Sequence, residues 1–120
     1  MAEYRYTPED RRKQLEALAS ALGELIPVVA ELPEFSPRVG EYEAALRMTE
    51  RLLRAGFTQE QASALSDAVP DLYFRHKEWC PPLIRTSSGE WREPEWFVRL
   101  ESRLQPALRA AAALRVVGYY

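Results

Sequence analysis

Residues 7–29 read TPEDRRKQLEALASALGELIPVV, and this stretch decides the fold class. Thr7 followed by Pro8 predicts a helix start, because a threonine side chain can cap the first turn and proline is favoured at the first helical position. Apolar residues then recur at steps of three and four, which places them on one helical face. They are Leu15, Leu18, Leu22, Leu25 and Val29. The spacing predicts an amphipathic helix over residues 8–26, which Pro27 should end or kink.

A second helix is predicted to begin at Ser36-Pro37 and to end before Gly56. The Ser-Pro pair repeats the start signal of the first helix, and glycine commonly follows the last turn of a helix. The apolar and small residues between them again follow helical spacing. The predicted inner stripe consists of Val39, Tyr42, Leu46, Thr49 and Leu53.

A third helix is predicted directly after this glycine. Thr58 and Gln61 form a capping box, in which each side chain accepts from the other residue's backbone N–H. The surrounding stretch AGFTQEQASAL, residues 55–65, resembles the Gly-Phe turn of ubiquitin-associated-type modules, and the resemblance implies a tight joint between two helices. Pro70 predicts either a kink or a helix that stops near Ala68 and restarts. The predicted stripe is Ala62, Leu65, Val69, Leu72, Tyr73, His76 and Cys80.

Residues 81–93 have no helical period, and the last helix follows them. Ser87-Ser88-Gly89 is a turn signal, for which we favour an ordered loop over a small hairpin. The last helix is predicted from near Pro94 to about Val117, with a kink or a lost hydrogen bond at Pro106. One face of this helix is predicted to contain Trp96, Phe97, Leu100, Leu104, Ala107, Leu108 and Ala111.

These elements predict an all-α protein. Short connections favour antiparallel neighbours, so we expect a compact bundle of four to five helices formed by residues 1–120 as a single domain. An ordered loop containing proline and tryptophan should precede the last helix.

Composition excludes several classes of function. No apolar run approaches the length of about 20 residues that spans a bilayer, so we expect no membrane partner. The N-terminus has no apolar signal region, and a single cysteine cannot form an internal disulfide, so we expect a cytoplasmic protein. The chain has no glycine-rich phosphate loop and no Glu-x-x-His pair. We therefore expect no cofactor, no metal site and a non-enzymatic role.

Rare side chains concentrate in residues 73–97, which favours a specific binding surface. Tryptophan and arginine are enriched at interaction hot spots, so we expect an adaptor, inhibitor or regulatory subunit that binds a protein partner or a second copy of itself. The alternative is that Trp91 and Leu83-Ile84 fold back and plug one end of the bundle. The predicted partner surface is Trp79, Leu83, Ile84, Arg85, Trp91, Arg92 and Trp96, with Tyr119 and Tyr120.

An arginine face supplies a second hypothesis. Arg85, Arg92, Arg99 and Arg103 are interleaved with aromatics and could bind nucleic acid or a phosphate ligand. The sequence pI of about 5.5 argues against a dedicated nucleic-acid binder. Residues 1–72 carry a net charge of −5 and residues 73–120 a net charge of +3, so these arginines could instead pair with the acidic half.

A thiol site is the third hypothesis. His76 and Cys80 are four residues apart, so a helix would place them on one side as a nucleophile–base pair or redox thiol. The competing interpretation is that Cys80 is a small buried hydrophobe, as free cysteines commonly are.

Overall fold

The computed structural model describes residues 7–72 and 80–115, which form four α-helices and one small β-hairpin. The helices are α1 (Pro8–Glu31), α2 (Val39–Ala55), α3 (Gln59–Asp67) and α4 (Glu95–Ala113). A 3₁₀ turn, Ser36–Arg38, precedes α2, and the strands are β1 (Ile84–Arg85) and β2 (Trp91–Arg92). The predicted all-α bundle is confirmed.

Helix α1 begins at the predicted cap. Thr7 Oγ1 accepts from the Asp10 N–H at 3.0 Å, and Asp10 Oδ2 accepts from the Thr7 N–H at 3.0 Å. The hydrogen bond that the Thr7 backbone N–H donates to the Asp10 carboxylate is the main cause that lowers the pKa of this carboxyl. The helix continues through Pro27 to Glu31, so the predicted end near residue 26 is wrong. Pro27 and Gly23 are both exposed, and water can therefore solvate the Gly23 carbonyl that the proline leaves without a backbone donor.

Helix α1 lies between α2 and α4 and is antiparallel to both. Arg12, near its start, donates to the Leu53 carbonyl near the end of α2 at 3.2 Å. Near its other end, Glu31 accepts from Arg99 of the first half of α4 at 2.8 Å. Helix α3 packs against α2 and α4, so each of the four helices contacts two others. The predicted leucine and valine stripe of α1 is buried at the centre of this arrangement.

Helix α2 follows its predicted stripe closely. Tyr42 and Thr49 are fully buried, and Val39, Leu46 and Leu53 are partly buried against the same core. The Thr49 hydroxyl donates to the Ala45 carbonyl at 2.7 Å, which satisfies its polar group inside the bundle. Gly56 ends the helix with a φ of 86°, a conformation that favours glycine.

Helix α3 is short because it stops before Pro70. The Thr58–Gln61 capping box is present, and the helix ends at Asp67, as one of the two sequence alternatives predicted. Val69 and Leu72 remain buried beyond the helix end. The predicted stripe residues Tyr73 and His76 lie outside the described residues.

Helix α4 continues through Pro106 and ends at Ala113. Its predicted extension to Val117 lies outside the described residues. Most of the predicted face is buried or partly buried, whereas Trp96 at its start is 38% exposed. Trp96 occupies the second position of the helix, and its neighbour Phe97 is the buried aromatic of this turn.

One buried charge joins three helix ends. The Arg11 side chain is only 6% exposed, and its guanidinium donates to the Ala113 carbonyl at 2.7 Å and to the Gln59 side-chain oxygen at 2.7 Å. It also donates to Gln14 at 2.8 Å. Gln59 in turn donates to the Leu114 carbonyl at 2.9 Å. The start of α1, the start of α3 and the end of α4 therefore share one hydrogen-bond network.

Replacing Arg11 with alanine should lower the free energy of unfolding by about 3 kcal/mol, because it removes a buried side chain together with the charged hydrogen bonds that join three helix ends. The neighbouring Arg12→Ala is the control, because Arg12 is exposed, and we expect it to change stability by less than about 0.5 kcal/mol. Urea unfolding followed by circular dichroism measures both values. Equal losses in the two variants would contradict the role given to Arg11.

Tyr42 should make stability fall at alkaline pH. Burial raises the pKa of the Tyr42 phenol above its ordinary value, and its hydroxyl donates to the Pro70 carbonyl at 2.6 Å. The unfolded chain loses this proton near pH 10 while the folded chain keeps it, so this contribution to stability declines as pH rises above about 10.

The Tyr42→Phe variant isolates this effect. We expect it to be about 1 kcal/mol less stable than the wild type at neutral pH, because it lacks the hydrogen bond to Pro70. The difference should shrink above pH 10, since phenylalanine has no proton to lose. Parallel pH series of urea unfolding test this, and a constant difference across the range would refute it.

Candidate interaction surface

Residues 84–92 form a hairpin rather than the favoured loop. Ile84 pairs with Arg92 and Arg85 pairs with Trp91 in antiparallel register. The Thr86 N–H donates to the Glu90 carbonyl at 2.7 Å, which closes the turn side of the ladder.

The turn itself is closed by small polar residues. The Gly89 N–H donates to the Thr86 carbonyl at 2.9 Å, and the Thr86 and Ser88 hydroxyls lie 2.8 Å apart. Gly89 has a φ of 88°, a left-handed conformation that other residues adopt only with strain. The glycine therefore selects the hairpin, which residue spacing alone could not distinguish from a loop.

The large apolar side chains of the hairpin are exposed. Leu83, Ile84 and Trp91 are 51%, 44% and 63% exposed, so the alternative in which they plug one end of the bundle is wrong. Neither strand packs against any of the four described helices, which explains the exposure. We call these three residues, together with Trp96 and Val98, the hairpin patch.

The two faces of the hairpin carry different side chains. Cross-strand partners share a face, so Ile84 lies with Arg92 on one side and Arg85 with Trp91 on the other. The Arg85 guanidinium carbon lies 6.0 Å from the Trp91 ring centroid, at the outer limit of a cation–π contact. This contact positions the most exposed tryptophan of the described chain next to a positive charge.

Trp96, at the start of α4, is the second tryptophan of the hairpin patch. The Trp96 ring lies 6.4 Å from Phe35 and 5.9 Å from Phe97 between centroids, so two aromatics fix its orientation. Beside it is an open cavity of about 220 Å³, lined by Leu32, Pro33, Glu34, Phe35 and Trp96. Trp96 thus has one face packed and the rest accessible.

Val98 belongs to the patch although the sequence analysis did not single it out. It is 53% exposed and lines a second cavity of about 360 Å³ together with Arg92, Glu93, Glu95, Arg99 and Ser102. Its position along the helix could have indicated this exposure, because Val98 lies between the buried residues Phe97 and Leu100 on the polar side of α4. An apolar residue at such a position is a candidate contact residue.

The four arginines of the second hypothesis do not form one free face. Arg99 pairs with Glu31 at 2.8 Å and Arg103 with Glu24 at 3.4 Å, both across the α1–α4 contact. These pairs are exposed, so each contributes little to stability. They join basic side chains of α4 to acidic side chains of α1, which is the pairing that the charge asymmetry of the sequence predicted. Arg85 and Arg92 lie on the hairpin strands, and Arg92 lines the same cavity as Arg99.

The thiol hypothesis required His76 and Cys80 to lie on one helix. Cys80 is exposed and lies outside any helix, so the interpretation of Cys80 as a buried hydrophobe is wrong. His76, Trp79, Tyr119 and Tyr120 lie outside the described residues. Within residues 7–72 and 80–115 there is no group of three histidine, cysteine or acidic side chains that could hold a metal.

No protein-family model, no curated protein and no solved structure matches this chain. Among the described helices, none is both long enough and apolar enough to cross a membrane. Any functional conclusion therefore depends on the residues themselves.

Two glycine substitutions should have opposite effects. Gly89→Ala should destabilise the hairpin by about 1 kcal/mol, because alanine is strained at a positive φ. Gly23→Ala lies within α1 with no atom in the way, and should stabilise the protein by about 1 kcal/mol.

Nuclear magnetic resonance distinguishes the two sites. Arg85 and Trp91 form a pair without mutual backbone hydrogen bonds, whose Cα atoms lie about 4.5 Å apart and give a strong Hα–Hα contact. We expect Gly89→Ala to weaken this contact and Gly23→Ala to preserve it. An unchanged contact in Gly89→Ala would show that the turn does not determine the hairpin.

Proposed function

We propose that this chain is a non-enzymatic interaction protein that binds a polypeptide partner through the hairpin patch, as an adaptor, inhibitor or regulatory subunit. One observation carries the proposal. All the exposed large hydrophobic side chains of the described residues fall between residues 83 and 98. They belong to the hairpin segment and to the first turn of α4, and a local concentration of exposed apolar side chains is typical of a protein contact site.

The chemistry of the patch supports a protein partner. Trp91 and Trp96 offer large rigid contact areas at low entropic cost, and tryptophan and arginine dominate the energetics of protein interfaces. The hairpin strands do not pack on the described helices, so the bundle does not need them for its core. A segment that retains exposed tryptophan without a core role fits a binding function.

The charge around the patch favours protein over nucleic acid. Residues 83–98 contain two arginines, Arg85 and Arg92, interspersed with three glutamates, so this segment has no excess of positive charge. Nucleic-acid binding relies on an excess of positive charge along the phosphate backbone. A polypeptide that carries both positive and negative side chains suits this surface better.

We also propose that the interaction takes place in the cytoplasm, because the exposed thiol of Cys80 suits a reducing compartment.

Trp91→Ala should abolish partner binding and leave the helices intact. The protein carrying an aromatic photo-crosslinking amino acid at position 91, which retains a large ring there, should form a covalent complex with its partner in its own cells. The same probe at Arg109, an exposed position in the second half of α4, is the control and should not. Mass spectrometry then identifies the crosslinked species, with and without nuclease treatment.

The outcomes separate the functional hypotheses. A crosslink specific to position 91 that survives nuclease, and binding of the purified partner to wild type but not to Trp91→Ala, would support the proposal. Equal crosslinking from both positions, or crosslinks to nucleic acid alone, would overturn it. A Trp91→Ala protein that loses its helical circular dichroism would show that Trp91 belongs to the core, and the proposal would then fail.

A further inference from the structure

We infer that the partner of the hairpin patch is a second copy of this chain, joined edge to edge along β2 about a two-fold axis centred on Trp91. The inference deepens the proposed function and rests on it. It is drawn from the hydrogen-bond pattern of the hairpin, from its charges and from the register that a two-fold axis imposes.

Among the residues that the structure describes, no other segment pairs with the two outer backbone edges of the hairpin. Thr86 and Glu90 form a hydrogen-bonded pair, so the alternation of an antiparallel ladder makes Arg85 and Trp91 the next, non-bonded pair. Their N–H and C=O groups therefore point outwards, those of Arg85 along one edge and those of Trp91 along the other. Such an edge is a ready template for another strand, and an isolated two-stranded hairpin is marginally stable in water.

The hairpin charges are complementary to themselves. Arg85, Glu90, Arg92 and Glu93 sum to zero. Within residues 7–72 and 80–115, none of these four side chains forms an ion pair. A partner of a single sign would meet like charge at half of these positions. A second copy, turned about a two-fold axis, presents both signs in inverted order.

Symmetry selects the edge. In an antiparallel pairing about a two-fold axis, the central residue faces its own copy. With the axis at the residue whose backbone groups point outwards, pairing along β1 would set Arg85 against Arg85 of the second copy, and like charges directly opposite each other are destabilising. Pairing along β2 sets Trp91 against Trp91 of the second copy, which is a favourable aromatic cross-strand pair.

The same register produces two charge pairs. With Trp91 at the axis, the preceding residue Glu90 faces Arg92 of the second copy, and Arg92 faces Glu90 of the second copy. Opposite charges on facing strands stabilise a sheet, so both pairs favour this register. The product is a four-stranded sheet in the order β1, β2, β2, β1, with the two tryptophans and both Arg85 side chains on one face.

Charge exchange tests this register directly. Sedimentation velocity on the purified chain, over a range from low to high micromolar concentration, should reveal a reversible dimer. Glu90→Arg places two like-charged pairs at the interface, and so does Arg92→Glu. Each variant should weaken dimerisation by about tenfold or more. Glu43→Arg makes the same charge change on the exposed side of α2 and is the control, which should dimerise like the wild type.

Mixing the two weakened variants is the decisive step. The Glu90→Arg chain presents two arginines on its edge and the Arg92→Glu chain two glutamates, so an equimolar mixture should form a heterodimer of about wild-type affinity. The double variant Glu90→Arg with Arg92→Glu should also dimerise again. Failure of both rescues would overturn the register, and with it the inference.

Other results separate this inference from the proposed function. A wild-type chain that stays monomeric at every concentration would overturn the second copy as partner, and a Trp91-specific crosslink to a different protein would then leave the proposed function standing. A dimer indifferent to Trp91→Ala, Glu90→Arg and Arg92→Glu would show that the copies meet elsewhere. That result would overturn the inference.

Discussion

The buried guanidinium of Arg11 is the interaction on which the rest of this structure depends. A charge removed from water must be hydrogen-bonded, and Arg11 satisfies this requirement with acceptors from α1, α3 and the end of α4. The α4 acceptor belongs to the negative end of the α4 dipole, which favours a positive charge there. Arg11 therefore fixes where α3 and α4 meet α1, and the leucine stripe of α1 is buried because α2 and α4 lie on either side of it.

This arrangement leaves the hairpin outside the core. The Arg11 network joins the start of α1 to the end of α4, whereas the hairpin enters α4 from the opposite end of the bundle. Its strands contact none of the four helices, so its exposed apolar side chains and its open backbone edges are available to another molecule. The division between a self-sufficient bundle and an external edge strand is the physical basis of the functional proposal, because a surface that does not stabilise the fold can be used for binding.

The helices were predictable from the sequence where local rules govern them. The caps at Thr7 and Thr58 and the stop at Gly56 depend on side chains within one turn, and the apolar stripes follow from helical periodicity. Pro27 misled the prediction of the end of α1, because whether a proline ends a helix depends on whether solvent can reach the freed carbonyl. Arg11 was missed because it is charged, although it lies four residues before Leu15 on the same stripe. The exposure of Trp91 and Cys80 could not be predicted, because the exposure of a side chain depends on which elements pack near it. Composition and spacing contain no information about that packing.

The central claim is that the hairpin patch lies outside the core, and the most direct test is equilibrium unfolding of one multiple variant. Leu83→Ser, Ile84→Ser and Trp91→Ser combined in one chain remove most of the apolar surface of the hairpin. At high dilution, where self-association contributes nothing to stability, the account predicts a free energy of unfolding within about 1 kcal/mol of the wild type. A loss of more than about 3 kcal/mol would show that these side chains are part of the core and would contradict the account.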